Sequence, residues 1–390
     1  MRFLSSESIF NGTEFLNKNS ILVINEKNQF IDIIEESQLD PLQIERFDGI
    51  ITPGFVNTHC HLELSYFQNI IPQKTGLVNF AKNIISKRSQ FSVEQMNKAI
   101  EQADSFMENN GIAVVGDISN TNLSFKTKQK SKLYYHSFIE LIGLNSEKKE
   151  NILEGGIALL KELQNLGLIG SLAPHAPYST SVQLIEAISN YNSKNNLPFS
   201  IHNQESEEEN KFLQGEKSEF YNLFEFLNID ISWFKPKHRS SLNAYSSFLK
   251  SKKNILVHNT FTSQEDYGSV GSHVFWCLCP TANLYIENKL PDYDILLSNS
   301  KQICFGTDSL ASNSNLDILK EGSIFYSKTK DLGLSLRALT YNGAAALDLQ
   351  ENFGSFIKAK NTGLNLIEVK QDKFLLKEVI VVADRLSLLV

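Results

Sequence analysis

The stretch Pro53-Gly54-Phe55-Val56-Asn57-Thr58-His59-Cys60-His61-Leu62-Glu63-Leu64-Ser65 decides how the chain is read: an apolar run ends there in two histidines separated by one residue. A strand projects alternate side chains to one face, so His59 and His61 converge while Cys60 turns the other way. Imidazole nitrogens gathered at the end of a buried strand are what a divalent ion of zinc type needs. The pair alone fits two hydrogen-bonded histidines equally well, so the rest of the chain has to decide.

Outward from this stretch, short runs rich in Val and Ile alternate with longer amphipathic segments. The apolar runs end near His59, Asp117, Ile139, Leu172, His202, His258, Cys279 and Phe305. Eight such runs predict an α/β chain with a (β/α)8 barrel over residues 50–354 rather than an open sheet. Helices are expected over Leu77 to Arg88, Val93 to Asn109, Ile152 to Leu166, Val182 to Asn195, Ser314 to Lys328 and Ser335 to Leu347. Gly111, Gly167 and Gly170 stand where helices should stop. Residues 1–49 and 355–390 carry β-type runs such as Ile21-Leu22-Val23-Ile24 and Val379-Ile380-Val381-Val382, and are expected to meet in one small β-sandwich. The interval 206–253 is too long for a plain connection; it predicts a lid or specificity element over the barrel mouth, with a surface excursion as the alternative.

Composition bounds the partners. The 390 residues exceed the roughly 250 a barrel needs, which leaves room for the small second unit. A formal net charge of −7 gives nucleic acid or acidic membrane no basic patch to attract, so neither is expected as a partner. There is no long uncharged apolar run, and Met1 to Glu7 has no secretory hydrophobic segment, so a cytoplasmic protein is expected. Four cysteines are too few for a disulfide framework, and free thiols follow.

The remaining histidines change the odds at the opening stretch. His202 closes the run Leu197-Pro198-Phe199-Ser200-Ile201 as a third ligand, and Asp308, after Ile303-Cys304-Phe305-Gly306-Thr307, offers a hard oxygen. That His3Asp set leaves a position for water. His258 ends the sixth run as either another ligand or the group holding that water, and Glu205 stands three residues beyond His202. A parallel barrel gathers all of them at its C-terminal face. His175, between Pro174 and Pro177, is stiffly held; substrate contact is favoured over a loop hydrogen bond. His136 and His273 read as structural and His238 as a solvated loop residue. No lysine lies between Lys161 and Lys194, where a binuclear hydrolase of this architecture would place a carbamylated bridging lysine, so one metal is expected. A histidine-rich set favours Zn2+, with Fe2+ or Mn2+ open.

These pieces resemble the amidohydrolase superfamily, in its cytosine-deaminase-like branch with guanine deaminase, adenosine-type nucleoside deaminases and triazine hydrolases. The likeness is carried by the opening stretch, Ala173-Pro174-His175-Ala176-Pro177-Tyr178-Ser179, His202-Asn203-Gln204-Glu205, Val257-His258, Cys279-Pro280-Thr281-Ala282-Asn283-Leu284 and Gly306-Thr307-Asp308-Ser309. It implies one metal on His59, His61, His202 and Asp308, with Glu205 as proton shuttle, His258 beside the hydrolytic water and His175 toward substrate. Glu63 and Ser65 look like the version seen in aminofutalosine-type deaminases and would contact substrate. The implied reaction is hydrolytic deamination of an aminated small-molecule heterocycle, with halide or thiol displacement from a triazine or opening of a cyclic amide as the alternative, and a non-catalytic metal-stabilised scaffold as the reading from another class. Homodimers are frequent in the resembling family. Two departures stand out: Ala282 replaces a usual serine, and Ala359-Lys360-Asn361-Thr362-Gly363-Leu364 replaces the usual turn of the accessory domain.

Overall fold

The computed structural model describes residues 1–383. Its strands are β1 (Arg2–Ile9), β2 (Ser20–Ile24), β3 (Phe30–Glu35), β4 (Ile44–Pro53), β5 (Phe55–Cys60), β6 (Ile112–Ser119), β7 (Tyr134–Leu141), β8 (Ile169–Pro174), β9 (Phe199–Asn203), β10 (Asn254–His258), β11 (Val274–Leu278), β12 (Ile303–Phe305), β13 (Leu364–Lys370) and β14 (Lys373–Val381). The strands β5 to β8 form one four-stranded parallel sheet and β9 to β12 a second. Their runs are apolar on both faces, as strands covered on both sides must be. Val56, Val114, Ile118, Phe138, Ala173, Ile255, Val257, Cys277 and Cys304 pack in one cluster between the strands. Alternate residues such as Phe55, Cys60, Val115 and Ile201 join a larger cluster with helix residues including Ile100, Leu160 and Ile185.

The edges of the two sheets meet twice. Between β8 and β9, His202 N donates to His175 O at 3.0 Å. Between β12 and β5, Asp308 N donates to His59 O at 3.1 Å, and Asn57 and Thr307 exchange bonds of 2.8 and 3.0 Å. Gly306 permits this second approach, because a Cβ there would lie 2.6 Å from His59 Cβ.

Most expected helices fall where periodicity puts them, but the one expected from Ile152 begins at Lys149 and Gly170, expected at a helix end, lies inside β8. The segment expected from Ser335 is two helices, Leu332–Leu339 and Tyr341–Ala346, broken at Thr340. Just after the break, the Asn342 amide donates to the carbonyls of Lys301 and Ile303, ahead of and within β12. The helix expected from Ser314 starts only at Ile318, where the Asp317 side chain caps the Leu319 amide.

The chain ends meet in a single six-stranded sheet in the order β14-β13-β4-β1-β2-β3, where the sequence predicts a sandwich. Alternation fixes which face of a strand is apolar but not whether that face meets a second sheet. Here Leu4, Leu22, Ile24, Ile51, Leu364, Leu366 and Val381 share one cluster, while Phe374 stacks on Tyr326 and so docks the sheet on helix Ile318–Thr329. Positions 384–390 of the expected terminal unit lie outside the described residues. The long interval after β9 folds into helices Glu207–Gln214 and Phe220–Phe226, whose Phe212, Phe220 and Phe224 pack with Leu77, Tyr178 and Ile286. Among the described residues, no helix is long and apolar enough to cross a membrane.

Candidate metal centre

Every side chain of the expected ligand set sits at the C-terminal end of a strand, and all of them meet. His61 Nε2 lies 3.1 Å from His59 Nε2 and 3.2 Å from His202 Nε2. Asp308 Oδ1 is 3.4 Å from His61 Nε2 and 3.6 Å from His59 Nε2. His59, His61 and His202 form one group able to hold an ion, and His59, His258 and Asp308 another that shares a member with it. The backbone is bent to do this: Gln204, His258, Asn259 and Asp308 have φ of 46°, 75°, 58° and 56°, a left-handed region costly for residues with a Cβ.

Hydrogen bonds at the far side of each ring fix what faces the centre. His202 Nδ1 donates to His175 O at 2.8 Å, so in the neutral ring the lone pair is on Nε2. His258 Nδ1 donates to Asn283 Oδ1 at 2.8 Å, which leaves its Nε2 as an acceptor 3.7 Å from Glu205 Oε1. Ser312 Oγ donates to Asp308 Oδ2. Nitrogen lone pairs crowded together in this way repel one another, and a cation between them removes the conflict. The donor set therefore fits a divalent ion, and one rich in imidazole fits zinc.

Burial sets the protonation. It pushes His61 down to about 3 and His175 and His258 to about 4, so these rings are neutral, the form that ligates metal. Burial also pushes the Glu205 carboxyl well up, with the charges of Asp308 and Glu209 adding to it. Burial pushes Asp308 in the same upward direction, but contact with His59 and the nearby His61 and His258 outweighs it and holds this carboxyl low. Glu205 is 5% exposed and His258 1%, so both side chains are screened from bulk water. Glu209, fully buried, accepts from the Gln204 and Glu205 amides and from Ser241 Oγ, which fixes the chain that carries Glu205.

Two residues expected at the substrate are engaged elsewhere. Glu63 spends its carboxylate on the Asn120 and Thr121 amides, both at 3.2 Å, and on Thr121 Oγ1 at 3.0 Å. Ser65 Oγ donates to Leu62 O within its own turn at 2.7 Å. The 3-10 turn Leu62–Phe67 bends the chain after His61, so residues adjacent in sequence to a ligand do not share its direction. His136 bonds Ser171 and His273 bonds Leu249 O, both structural as expected; His238 is only half-buried.

Sequence reading missed Glu140, at the end of β7, which groups with His175 and His202. A carboxylate closing an otherwise apolar run was the available signal. Nor does the sequence single out Asn283, or the ion pair of Lys128 with Asp117, both fully buried, in which Asp117 also accepts the Leu62 amide next to His61.

The chain is similar to several known proteins. An adenosine deaminase of Helicobacter pylori is 27% identical over 77% of this chain and 75% of its own length. The crystal structure of Helicobacter pylori aminofutalosine deaminase with methylthio-coformycin superposes with a TM-score of 0.80 at 22% identity, covering 95% of this chain and 93% of that one. An adenosine deaminase from Xanthomonas campestris with bound zinc has a TM-score of 0.69 at 16% identity, covering 94% and 84%. These structural likenesses show a shared fold. Residues 50–384, most of the chain and every residue of the centre, match the amidohydrolase family, and the chain belongs to it.

Proposed function

We propose that this protein is a metal-dependent hydrolase that deaminates an aminated, nucleoside-like heterocycle with release of ammonia. The observation that carries the reading is the buried 3.7 Å approach of Glu205 Oε1 to His258 Nε2, beside the converged histidines. The deaminases among its relatives support the choice of leaving group. We assign His59, His61, His202 and Asp308 to the ion, zinc before Fe2+ or Mn2+. When bound, the ion supplies Lewis acidity that lowers the pKa of water there to about 7.

The residues do the rest. Asp308 and His258 orient the attacking water toward the ring carbon that carries the amine. As the C–O bond forms, Glu205 takes a proton from that water and delivers it to the adjacent ring nitrogen. The remaining hydroxyl proton passes to the amine, the C–N bond breaks, and ammonia leaves behind a ring carbonyl. The role needs a carboxyl that gains and loses one proton in turn, which suits a group whose acidity burial has weakened. Zinc deaminases on another fold use a non-ligand glutamate in this way.

The same reading takes the two parallel sheets as halves of one closed (β/α)8 barrel, supported by the hydrogen bonds at both seams. It takes residues 206–253 as a lid: Phe220 stacks on Tyr178 at 4.2 Å, and Tyr178 meets His175 edge-on at 5.5 Å.

Metal analysis joined to an ammonia-release screen across adenosine, 5′-deoxyadenosine, aminofutalosine, guanine, pterins and triazines tests the reading. Glu205→Gln is expected to keep its zinc and lose about 10²- to 10⁴-fold in kcat. Full activity in a variant of confirmed metal content defeats the role of Glu205. Halide or thiol release without ammonia replaces deamination by displacement.

A further inference from the structure

Glu140 and His175 stand at the ends of β7 and β8, and Glu140 has a buried acceptor with nothing to accept. Glu140 Oε2 takes a hydrogen bond from Asn120 Nδ2 at 2.8 Å, while Oε1 is buried with no partner. His202 Nδ1 is 3.6 Å away, and its single proton already goes to His175 O at 2.8 Å. Oε1 is therefore not bonded through that proton. At His175, Ser179 Oγ donates to Ala176 O at 3.1 Å, so it accepts from His175 Nδ1 at 2.6 Å. The neutral ring is then left with a bare lone pair on Nε2. One ligand atom from each of Glu140, His175 and His202 lies within 4.8 Å of the others.

An acceptor held rigidly and buried without a partner, as Glu140 Oε1 is, has room for a donor from outside the chain. The rigidity is built: Glu63 grips the Asn120 backbone, and Asn120 in turn grips Glu140. The cluster is on the Nδ1 side of His202, whereas Nε2 faces the metal ligands. A donor placed there belongs to a part of the substrate remote from the carbon that Glu205 and His258 attend.

We infer that Glu140, with His175, accepts a hydrogen bond from a hydroxyl on the sugar of a nucleoside substrate and so decides which sugar is admitted. This rests on the deaminase reading and deepens it. Glu140 is a specificity residue here, distinct from the ion's ligands and from the proton shuttle.

The test crosses Glu140→Gln and Glu140→Ala with adenosine and its 2′-, 3′- and 5′-deoxy analogues, reading kcat, KM and bound zinc. For adenosine, both variants should lose roughly 10- to 100-fold in kcat/KM, mostly through KM, as expected when a buried hydrogen bond to substrate is weakened or removed. The one analogue that lacks the recognised hydroxyl should be poor with the unaltered protein and lose little more in the variants. Zinc content should stay at the unaltered level. Equal fractional losses with all four nucleosides overturn the inference, and so does loss of zinc from the variants, which makes Glu140 a support for His202 instead. Ammonia from none of the nucleosides with the unaltered, zinc-loaded protein overturns the deaminase reading itself, and this inference with it.

Discussion

Replacing Lys128 with methionine isolates the charge buried beneath the first turn of the metal centre. Lys128 Nζ lies 2.5 Å from Asp117 Oδ2, with Ser119 Oγ at 2.7 Å and Ser137 Oγ at 3.0 Å, and neither charged side chain has any solvent exposure. Methionine fills the space of the lysine stem, so packing changes little and the effect is electrostatic. What remains is a carboxylate in an apolar setting without its cation, and breaking such a pair costs about 3–5 kcal/mol. Unfolding entropy of about 2.1 cal/mol/K per residue, over the full chain, comes to roughly 0.8 kcal/mol/K, so Tm should fall by about 4–6 °C. Adding Asp117→Asn removes the stranded charge and keeps an acceptor for the Leu62 amide, which Asp117 now binds at 2.7 Å. The double variant should therefore recover at least half of the loss. Scanning calorimetry of the zinc-loaded proteins measures both. A drop below about 1 °C in the single variant, or a double variant no better than the single, refutes the argument.

Two further outcomes follow from the same packing. Burial pushes His136 down to about 3, whereas an unfolded histidine takes its proton near 6.5. Between those values the unfolded chain holds the extra proton, so stability falls as pH falls, by up to about 1.4 kcal/mol per pH unit for this one group. His136→Gln should flatten the pH dependence of unfolding by that share in denaturant titrations from pH 6.5 downward; an unchanged slope counts against it. Gly306→Ala would put a methyl 2.6 Å from His59 Cβ, and overpacking of that kind costs about 1–3 kcal/mol. Its zinc affinity should drop together with its Tm, and unaltered affinity by calorimetric titration would separate the seam from the centre.

The strand ends were legible because buried parallel strands read as unbroken apolar runs, and the ligands stood out because histidine is scarce and each one closed such a run. The three expected histidine ligands, His59, His61 and His202, were found for that reason, and Asp308 through the Gly306-Thr307-Asp308-Ser309 motif. Glu140 closes its run in the same manner, but a single carboxylate has no spacing to betray it. Lys128 is less visible still: helix Phe125–Lys130 carries three lysines, and nothing in that pattern tells which of them turns inward. Glu63 stands two residues after His61, but the intervening turn carries its carboxylate to the amides of residues 120 and 121, a direction that sequence spacing does not reveal. The terminal strands were recognisable, but one sheet and two facing sheets demand the same alternation.

The seam of β5 with β12 joins Asn57 to Thr307, 250 positions apart along the chain, in the same few ångströms where His59 meets Asp308. Contacts of such separation form late in folding, because a long loop must be closed before they are rewarded. A nascent or truncated chain that has not brought its two halves together has no complete ion site to offer. If the ion binds there as proposed, it would be taken up only after that joint has closed, and its capture would help hold the joint shut.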